Sequence, residues 1–323
     1  MKKSLVALAA LTLVGAASAQ STVVLSGKLG FAYTTSEAAG AAPAKANGLG
    51  VTDGDFVLTA SEDLGSGLKA TASMAVQSRG RDTGISGRDA SLTLAGGFGS
   101  VMIGAIELGN GIIGLGGADA PTMGLDGATG LGGISRAVLS DVMNMDVLMY
   151  TSPDMGGLTV SAAMMDAPGA GGMQSTAATQ DAVLVGVNYA AGVIAAAADY
   201  TKFGMNNAPA PGFDKRVRLS ASYDLGMVKL GAGYENLQTT AAANNDETQY
   251  LIGVSAPVGN AVTVGLNYVR NRKDADNTIT AYELGANYAL SKRTGVQAAY
   301  QSISEDNVAG RATALRVRLL HSF

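Results

Sequence analysis

Apolar and polar residues alternate with a period of two along most of this chain. In the segment 216–225 the odd positions are apolar, and the even positions carry charges or hydroxyl groups. After Gly226-Met227 the apolar phase moves to the even positions of 228–234. A period of two is typical of a β-strand with one apolar face and one polar face. The segment therefore predicts a β-hairpin with a tight turn.

The same alternation recurs from residue 22 to the last residue, and short turns alternate with longer polar connections. It predicts an all-β chain of sixteen antiparallel strands in eight up-and-down pairs. An apolar stripe on every strand favours a closed barrel in lipid, because closure removes the sheet edges and satisfies every hydrogen-bond ladder. The predicted strands lie near residues 22–35, 54–64, 68–79, 88–96, 100–108, 146–152, 158–167, 181–190, 193–203, 214–225, 228–239, 247–258, 261–273, 278–290, 294–304 and 311–323.

Aromatic residues recur near both ends of the apolar stripes, as in the two interfacial girdles of a transmembrane β-barrel. The 12 residues of 228–239, at about 3.3 Å each and tilted by about 40°, rise roughly 30 Å, the apolar thickness of a bilayer. Tyrosines at the edges of a soluble β-sandwich are the alternative. The predicted girdle residues are Tyr189, Tyr200, Tyr223, Tyr234, Tyr268, Tyr288, Tyr300 and the terminal Phe323.

The amino terminus predicts export. Lys2 and Lys3 precede an apolar run over 5–17, and the small residues Ala17-Ser18-Ala19 follow. This is the pattern of a cleaved signal peptide over residues 1–19, with a membrane anchor as the alternative. It leaves residues 20–323 as one barrel domain with 20 basic and 26 acidic side chains. That balance does not favour a nucleic-acid partner.

Candidate chemistry in the sequence is sparse. The segment GNGIIG over 109–114 matches a dinucleotide-binding pattern, but the Gly- and Pro-rich sequence after it does not predict the required helix. Cysteine is absent and His321 is the single histidine, which excludes His-containing triads and multi-His metal sites. We expect no enzyme activity, no metal and no cofactor, although acid-pair hydrolysis stays open by residue counting alone.

Three segments resemble a known family. They are SEDLGSGLKA over 61–70, GRDASLTLAGGFGSVMIG over 87–104 and YTSPDMGGLTVSA over 150–162, together with the ending LRVRLLHSF. They are similar to the trimeric general diffusion porins of Gram-negative outer membranes, in the proteobacterial branch. The resemblance implies a homotrimer of 16-stranded transmembrane β-barrels, each with its third loop folded inward. It also implies that the barrel-assembly machinery recognises Phe323.

The resemblance places the third loop at Gly109 to Ser140, the longest predicted connection. Five apolar residues could hold it against the wall: Ile112, Ile113, Leu115, Leu125 and Leu131. A mobile external Gly-rich loop is the alternative. The chain departs from the family just before this loop, where 104–107 reads Gly-Ala-Ile-Glu instead of carrying the arginine that these porins often have.

Charged residues in the polar phase of the strands predict a pore constriction. Cations facing lipid cost about 2–4 kcal/mol each near the midplane, so we expect them to face water inside the barrel. Placement near the barrel rims is the alternative, and Arg88 has no predicted place because it lies in the apolar phase. The predicted wall residues are Lys69, Arg79, Arg216, Arg218, Lys229, Arg316 and Arg318, opposite Glu107, Asp119 and Asp126 on the third-loop side.

We therefore expect a water-filled outer-membrane channel for passive diffusion of ions and small hydrophilic solutes. Its expected surroundings are outer-membrane lipid and lipopolysaccharide. A closed structural or adhesin barrel and a secreted soluble β-protein are the alternatives. Wall arginines favour anions while the acidic net charge favours cations, so ion selectivity stays open.

Overall fold

The computed structural model of the protein describes residues 21–40, 44–78, 85–108, 143–166, 181–204, 213–240, 246–274 and 277–323. The predicted signal peptide and third loop lie outside these residues, and so do the predicted constriction residues Arg79, Asp119 and Asp126. Among the residues described, no helix combines the length and the apolar character that crossing a membrane requires.

The described residues form sixteen antiparallel strands, each hydrogen-bonded to the strands before and after it in sequence, and β1 pairs with β16 to close the barrel. The closed 16-stranded barrel confirms the prediction from the alternation. The strands are β1 (Thr22–Glu37), β2 (Lys45–Gly65), β3 (Leu68–Gln77), β4 (Ser86–Gly96), β5 (Gly99–Leu108), β6 (Met143–Thr151), β7 (Leu158–Asp166), β8 (Asp181–Ala191), β9 (Ile194–Phe203), β10 (Phe213–Asp224), β11 (Lys229–Thr239), β12 (Glu247–Val258), β13 (Val262–Lys273), β14 (Asn277–Ala289), β15 (Thr294–Glu305) and β16 (Ala312–Ser322).

The largest boundary difference is in β2, which begins at Lys45 instead of near residue 54. The additional arm pairs with the second half of β1, beyond a register shift between Gly30 and Phe31. Its sequence over 45–51, KANGLGV, carries glycine and polar residues where alternation would place apolar ones. A search for a period of two therefore misses it, although its backbone pairs like the rest of the sheet.

The two termini of the barrel meet at the β1–β16 seam. The backbone N–H of Gly27 donates to the Phe323 carbonyl, and the N–H of Phe323 donates to the Gly27 carbonyl, both at 3.0 Å. The Phe323 ring lies over Gly27, where a Cβ would come within 2.7 Å of it, and its centroid is 6.5 Å from that of Phe56. The terminal phenylalanine thus packs across the seam onto β2.

The exterior of the barrel is apolar because the apolar positions in the alternation of the strands point outward. On β13 the side chains of Leu266 and Tyr268 point outward and are 42% and 40% exposed, while the intervening Asn267 is 1% exposed and points inward. A secreted soluble β-protein would bury such an apolar face. The exterior of this barrel fits lipid instead.

Candidate functional site

The inner wall of the barrel is the candidate site, because the alternation directs most charged side chains of the strands toward it. On β16 the side chains of Arg316 and Arg318 point inward and are largely buried. The residues between and beside them, Leu315, Val317 and Leu319, point outward with about half of their surface exposed. One strand therefore presents two cations to the lumen and an apolar stripe to the membrane.

Six charges form a chain of ion pairs around the seam, and we call them the seam cluster. Three are cations and three are carboxylates, and Asp89 beside Arg88 adds a further negative charge, since its Oδ1 accepts from the Glu107 N–H at 2.8 Å. Its members are Lys28 on β1, Asp53 and Asp55 on β2, Arg88 on β4, Glu107 on β5 and Arg318 on β16.

Asp53 holds one half of the seam cluster together. Arg318 Nη1 donates to Asp53 Oδ2 at 2.8 Å, and Lys28 Nζ lies 3.0 Å from Asp53 Oδ1. Arg318 Nε also donates to Gln297 Oε1 at 2.7 Å. Lys28 Nζ lies 3.4 Å from Asp55 Oδ2 and so links the two halves of the cluster. Asp53 and Arg318 are far apart in sequence, and only closure of the barrel brings them together.

Arg88 holds the other half. Its Nε donates to Glu107 Oε2 at 2.6 Å, and its Nη1 lies 3.5 Å from Asp55 Oδ2. Gln77 Nε2 donates to Asp55 Oδ1 at 3.0 Å. Each carboxylate of the seam cluster therefore has at least one cationic partner on a different strand.

A β-bulge explains why Arg88 reaches the inner wall although its position in the alternation is outward. The pairing of β3 with β4 shifts by one residue between Met74 and Val76. Two residues of β4, Arg88 and Asp89, consequently lie opposite the single residue Ala75. An extra residue of this kind re-aims the side chains beside it.

A second group of charges, which we call the β10 cluster, consists of Asp199 on β9, Arg216 and Arg218 on β10, and Glu235 on β11. Arg218 Nε donates to both carboxylate oxygens of Asp199, at 2.9 and 3.0 Å. Glu235 pairs with Arg218 in the sheet register and is fully buried. Arg216 is 2% exposed, and its guanidinium carbon lies 6.0 Å from the ring centroid of Phe203. This cluster is neutral, with two cations and two carboxylates.

Part of the inner wall is apolar. Inward-facing side chains of β6 to β11 form a buried cluster that we call the apolar inner wall. It lies on the strands that directly follow the third connection. Its members are Met145, Val147, Ala163, Met165, Ala182, Phe203 and Leu237.

The structure places the predicted wall residues in two groups. Arg216, Arg218, Arg316 and Arg318 point inward from the middle of their strands, whereas Lys69 and Lys229 lie within two residues of a short turn. These two lysines therefore lie near the short-turn rim, and their role at a constriction stays a prediction. The role of the four arginines at a constriction stays a prediction as well.

Glu107 also lies elsewhere than expected. It belongs to β5, where it shares the outward phase of Ile103, and it pairs with Arg88 on the adjacent strand β4, so it is not a third-loop charge that faces the arginines across the lumen. Sequence reasoning also missed Asp53, Asp55 and Asp199. These aspartates occupy the polar phase of their strands, and that phase alone could have predicted that they face the lumen.

The predicted girdle tyrosines point outward, as Tyr268 and Tyr288 show with 40% and 48% exposure. Four further tyrosines lie on β1, β6, β12 and β14, and one of them, Tyr150, donates its hydroxyl to the Phe98 carbonyl at 2.8 Å. The girdle carries no tyrosine from β2 to β5, because none of the 11 tyrosines of the chain falls there, and its exposed aromatics in this part are Phe56 and Phe98.

The outer surface of β2 to β5 is a shallow apolar depression, which we call the alanine face. Small side chains on neighbouring strands form its floor, and larger apolar side chains form its sides. Its outward residues are Leu58, Ala60, Ala72, Met74, Ala90, Leu92 and Ile103.

Known proteins resemble the chain over almost its whole length. A family model described as Gram-negative porin matches residues 5–308. Outer membrane porin protein 32 of Delftia acidovorans is 29% identical over 318 residues, which cover 92% of this chain and 88% of that protein. The solved structure of an anion-selective porin from Comamonas acidovorans has a TM-score of 0.75 at 24% identity, covering 94% of this chain and all of that one. The trimer form of OmpT from Vibrio cholerae has a TM-score of 0.68 at 16% identity, covering 94% and 99%.

Proposed function

Because the chain belongs to the Gram-negative porin family, we propose a mechanism of weak ion selectivity for the outer-membrane channel that it forms. The channel serves passive diffusion of small hydrophilic solutes. The mechanism involves no covalent chemistry and no energy coupling. The observation that carries it is the pairing of lumenal charges within the seam cluster and the β10 cluster.

Local pairing weakens the net field that a passing ion meets. Arg318 and Arg218 each have a carboxylate at 2.8 Å on another strand. At such distances the charges of a pair largely cancel beyond one Debye length, which is about 8 Å at physiological ionic strength. An ion in the lumen therefore meets paired positive and negative side chains instead of a row of side chains that all carry the same charge. We infer weak selectivity, although the porin from Comamonas acidovorans is described as anion-selective.

Reversal potentials in a salt gradient across a planar bilayer test this mechanism. We expect Asp199→Asn to shift the potential toward anion preference, because it removes one of the negative charges beside Arg218. Arg218→Gln should shift it the opposite way. Asp166→Asn removes an outward-facing carboxylate of β7 and should leave the potential unchanged. Identical potentials for both lumenal variants and the wild type would contradict the mechanism.

We also propose that the third loop, Gly109 to Ser140, folds inward onto the apolar inner wall. Met165, Phe203 and Leu237 point into the lumen and are no more than 6% exposed. Apolar side chains facing a water-filled lumen need an apolar cover, and the loop carries Ile112, Ile113 and Leu115 for this purpose.

The absence of cysteine makes a clean cross-linking test of this loop position possible. We expect Ile113→Cys combined with Phe203→Cys to form a disulfide and to lower single-channel conductance. Ile113→Cys combined with Tyr200→Cys, whose second site faces outward, should not cross-link. Cross-linking of the control pair alone would place the loop outside the lumen.

Export and assembly complete the proposal. We infer that cleavage after Ala19 leaves a mature chain beginning at Gln20, which the intact mass of the purified protein tests.

We infer further that the barrel-assembly machinery recognises Phe323 and that the chain forms a homotrimer through the alanine face. The trimer form of a structural neighbour supports this assembly, and so does the absence of tyrosines from β2 to β5.

A further inference from the structure

Two arginines of β13 point out of the barrel at the end remote from the chain termini. Arg270 and Arg272 share the outward phase of Tyr268, and both are exposed. Their strand ends toward the long connections, whereas the seam between Gly27 and Phe323 marks the opposite end. Porins have short turns on the periplasmic side and long loops outside, so this end faces the outer leaflet.

Neither guanidinium is neutralised within the part of the chain that the structure describes. Lys273, next to Arg272, points inward and pairs with Glu247 at 3.2 Å, so that carboxylate belongs to the lumen. Arg270 and Arg272 have no ion pair with a described residue. By contrast, Lys202, an outward-facing cation on β9, is paired with Asp214.

Hydroxyl groups surround the two arginines on the neighbouring strands. The sheet register puts Arg270 between Tyr250 and Thr280, and Arg272 between Thr248 and Thr278. We call Arg270, Arg272 and these four residues the arginine patch. Threonine hydroxyls beside guanidinium groups supply the donors that bind phosphate oxygens.

A third arginine lies on the same surface, on the far side of β14. Arg311 Nε donates to Ser302 Oγ at 2.8 Å, and its guanidinium carbon is 5.3 Å from the ring centroid of Tyr282. Tyr282 pairs with Tyr268 in the register, two residues below the Arg270–Thr280 pair. The hydrogen bond and the ring contact hold the third guanidinium over the outer surface, one strand away from the arginine patch.

The tyrosines fix the depth of this surface in the membrane. Tyr268 and Tyr282 lie one outward position closer to the membrane centre than Arg270 and Thr280. Girdle aromatics sit at the level of lipid headgroups. The arginines therefore lie among the headgroups, where an unpaired cation meets the phosphates of the lipid and not its acyl chains.

We propose that the arginine patch, together with Arg311, binds the phosphate of a phosphorylated glycolipid in the outer leaflet. Guanidinium groups bind phosphate through two parallel hydrogen bonds, which lysine cannot make. The inference rests on the outer-membrane location of the channel, but it concerns the exterior of the barrel and requires no particular selectivity of the pore.

Lipid binding to the purified, detergent-solubilised protein tests the proposal. The wild type is mixed with a phosphorylated lipid A-type glycolipid, with its dephosphorylated form, or with inorganic phosphate, and native mass spectrometry counts the bound molecules. We expect retention of the phosphorylated glycolipid alone. Equal retention of the dephosphorylated form, or binding of inorganic phosphate with equal strength, would overturn the assignment to a phosphorylated lipid.

Variants locate the binding site. Arg270→Gln with Arg272→Gln should lower affinity by on the order of tenfold, and the corresponding lysine pair should give an intermediate loss. The matched control Arg293→Gln removes an exposed arginine of a short turn at the opposite end and should have no effect. Unchanged affinity of the glutamine variant, with its heat-dependent gel mobility intact, would overturn the proposal. Channel conductance, measured in parallel, separates this failure from a failure of the proposed pore mechanism.

Discussion

The alanine face of β2 to β5 and the outer surface of β8 to β15 obey the same alternation but have different chemistry. Both expose apolar side chains, among them Met74 on the first and Leu284 on the second. Only the second surface, which we call the tyrosine face, carries tyrosines at both water boundaries, such as Tyr288 and Tyr300. Outward apolarity therefore marks the exterior of the barrel without telling whether lipid or protein covers it.

Two different physical requirements explain the contrast. A tyrosine at the boundary of lipid keeps its ring in an apolar layer and its hydroxyl in a polar one. A protein interface inside the membrane instead needs close approach of two backbones, which small residues such as Ala60 and Ala72 allow. The presence of girdle tyrosines thus predicts lipid contact, and their absence from a surface rich in alanine predicts contact with another subunit.

The largest expected effect is loss of the proposed trimer when the alanine face is made bulky. Ala72→Trp should convert the slow-migrating species on an unheated detergent gel into folded monomer, because the indole prevents close packing. Ala232→Trp adds the same ring to an exposed outward position of the tyrosine face and should leave the trimer intact, because lipid adapts to it. Equal effects of the two variants would remove the distinction between the faces.

A charge placed in the middle of the tyrosine face should have the next largest effect. Leu284→Arg should lower the free energy of unfolding by about 2–4 kcal/mol, because its guanidinium would face acyl chains. Thr280→Arg, at the level of Arg270, should cost only about 0–1 kcal/mol. Urea unfolding in lipid vesicles measures both values. Equal costs would mean that the tyrosine row does not mark the membrane boundary.

The smallest expected effect concerns a single girdle residue. Tyr268→Ala should lower the free energy of unfolding in vesicles by about 1 kcal/mol, because it removes one ring from the interface. Leu58→Tyr, which adds a tyrosine to the alanine face, should bring no compensating gain there. A gain of similar size in the second variant would show that lipid covers both faces.

The strands were predictable because a membrane imposes the period of two on every segment that crosses it. The arm of β2 over 45–51 escaped prediction, since its residues do not follow that period. Arg88 escaped as well, because a one-residue bulge against β3 changes the face that its side chain reaches. Alternation describes where side chains point only as long as the register is unbroken.

The candidate site was predictable in its kind but not in its pairing. The polar phase of β10 and β16 indicated that Arg218 and Arg318 face the lumen. Their partners Asp199 and Asp53 lie on other strands, and the second is brought close only when β1 joins β16 to β2. Sequence reasoning expected the opposing acids on the third loop, whereas the wall itself supplies them for these two arginines.

The sequence by itself determined the strand count, the apolar exterior and the polar interior, because each follows from local alternation under the solvent rules of a bilayer. Tertiary structure alone decided which charges cancel and which tyrosines line up into rows. Those outcomes depend on the stagger between strands and on closure of the ring, which join residues that no local pattern connects.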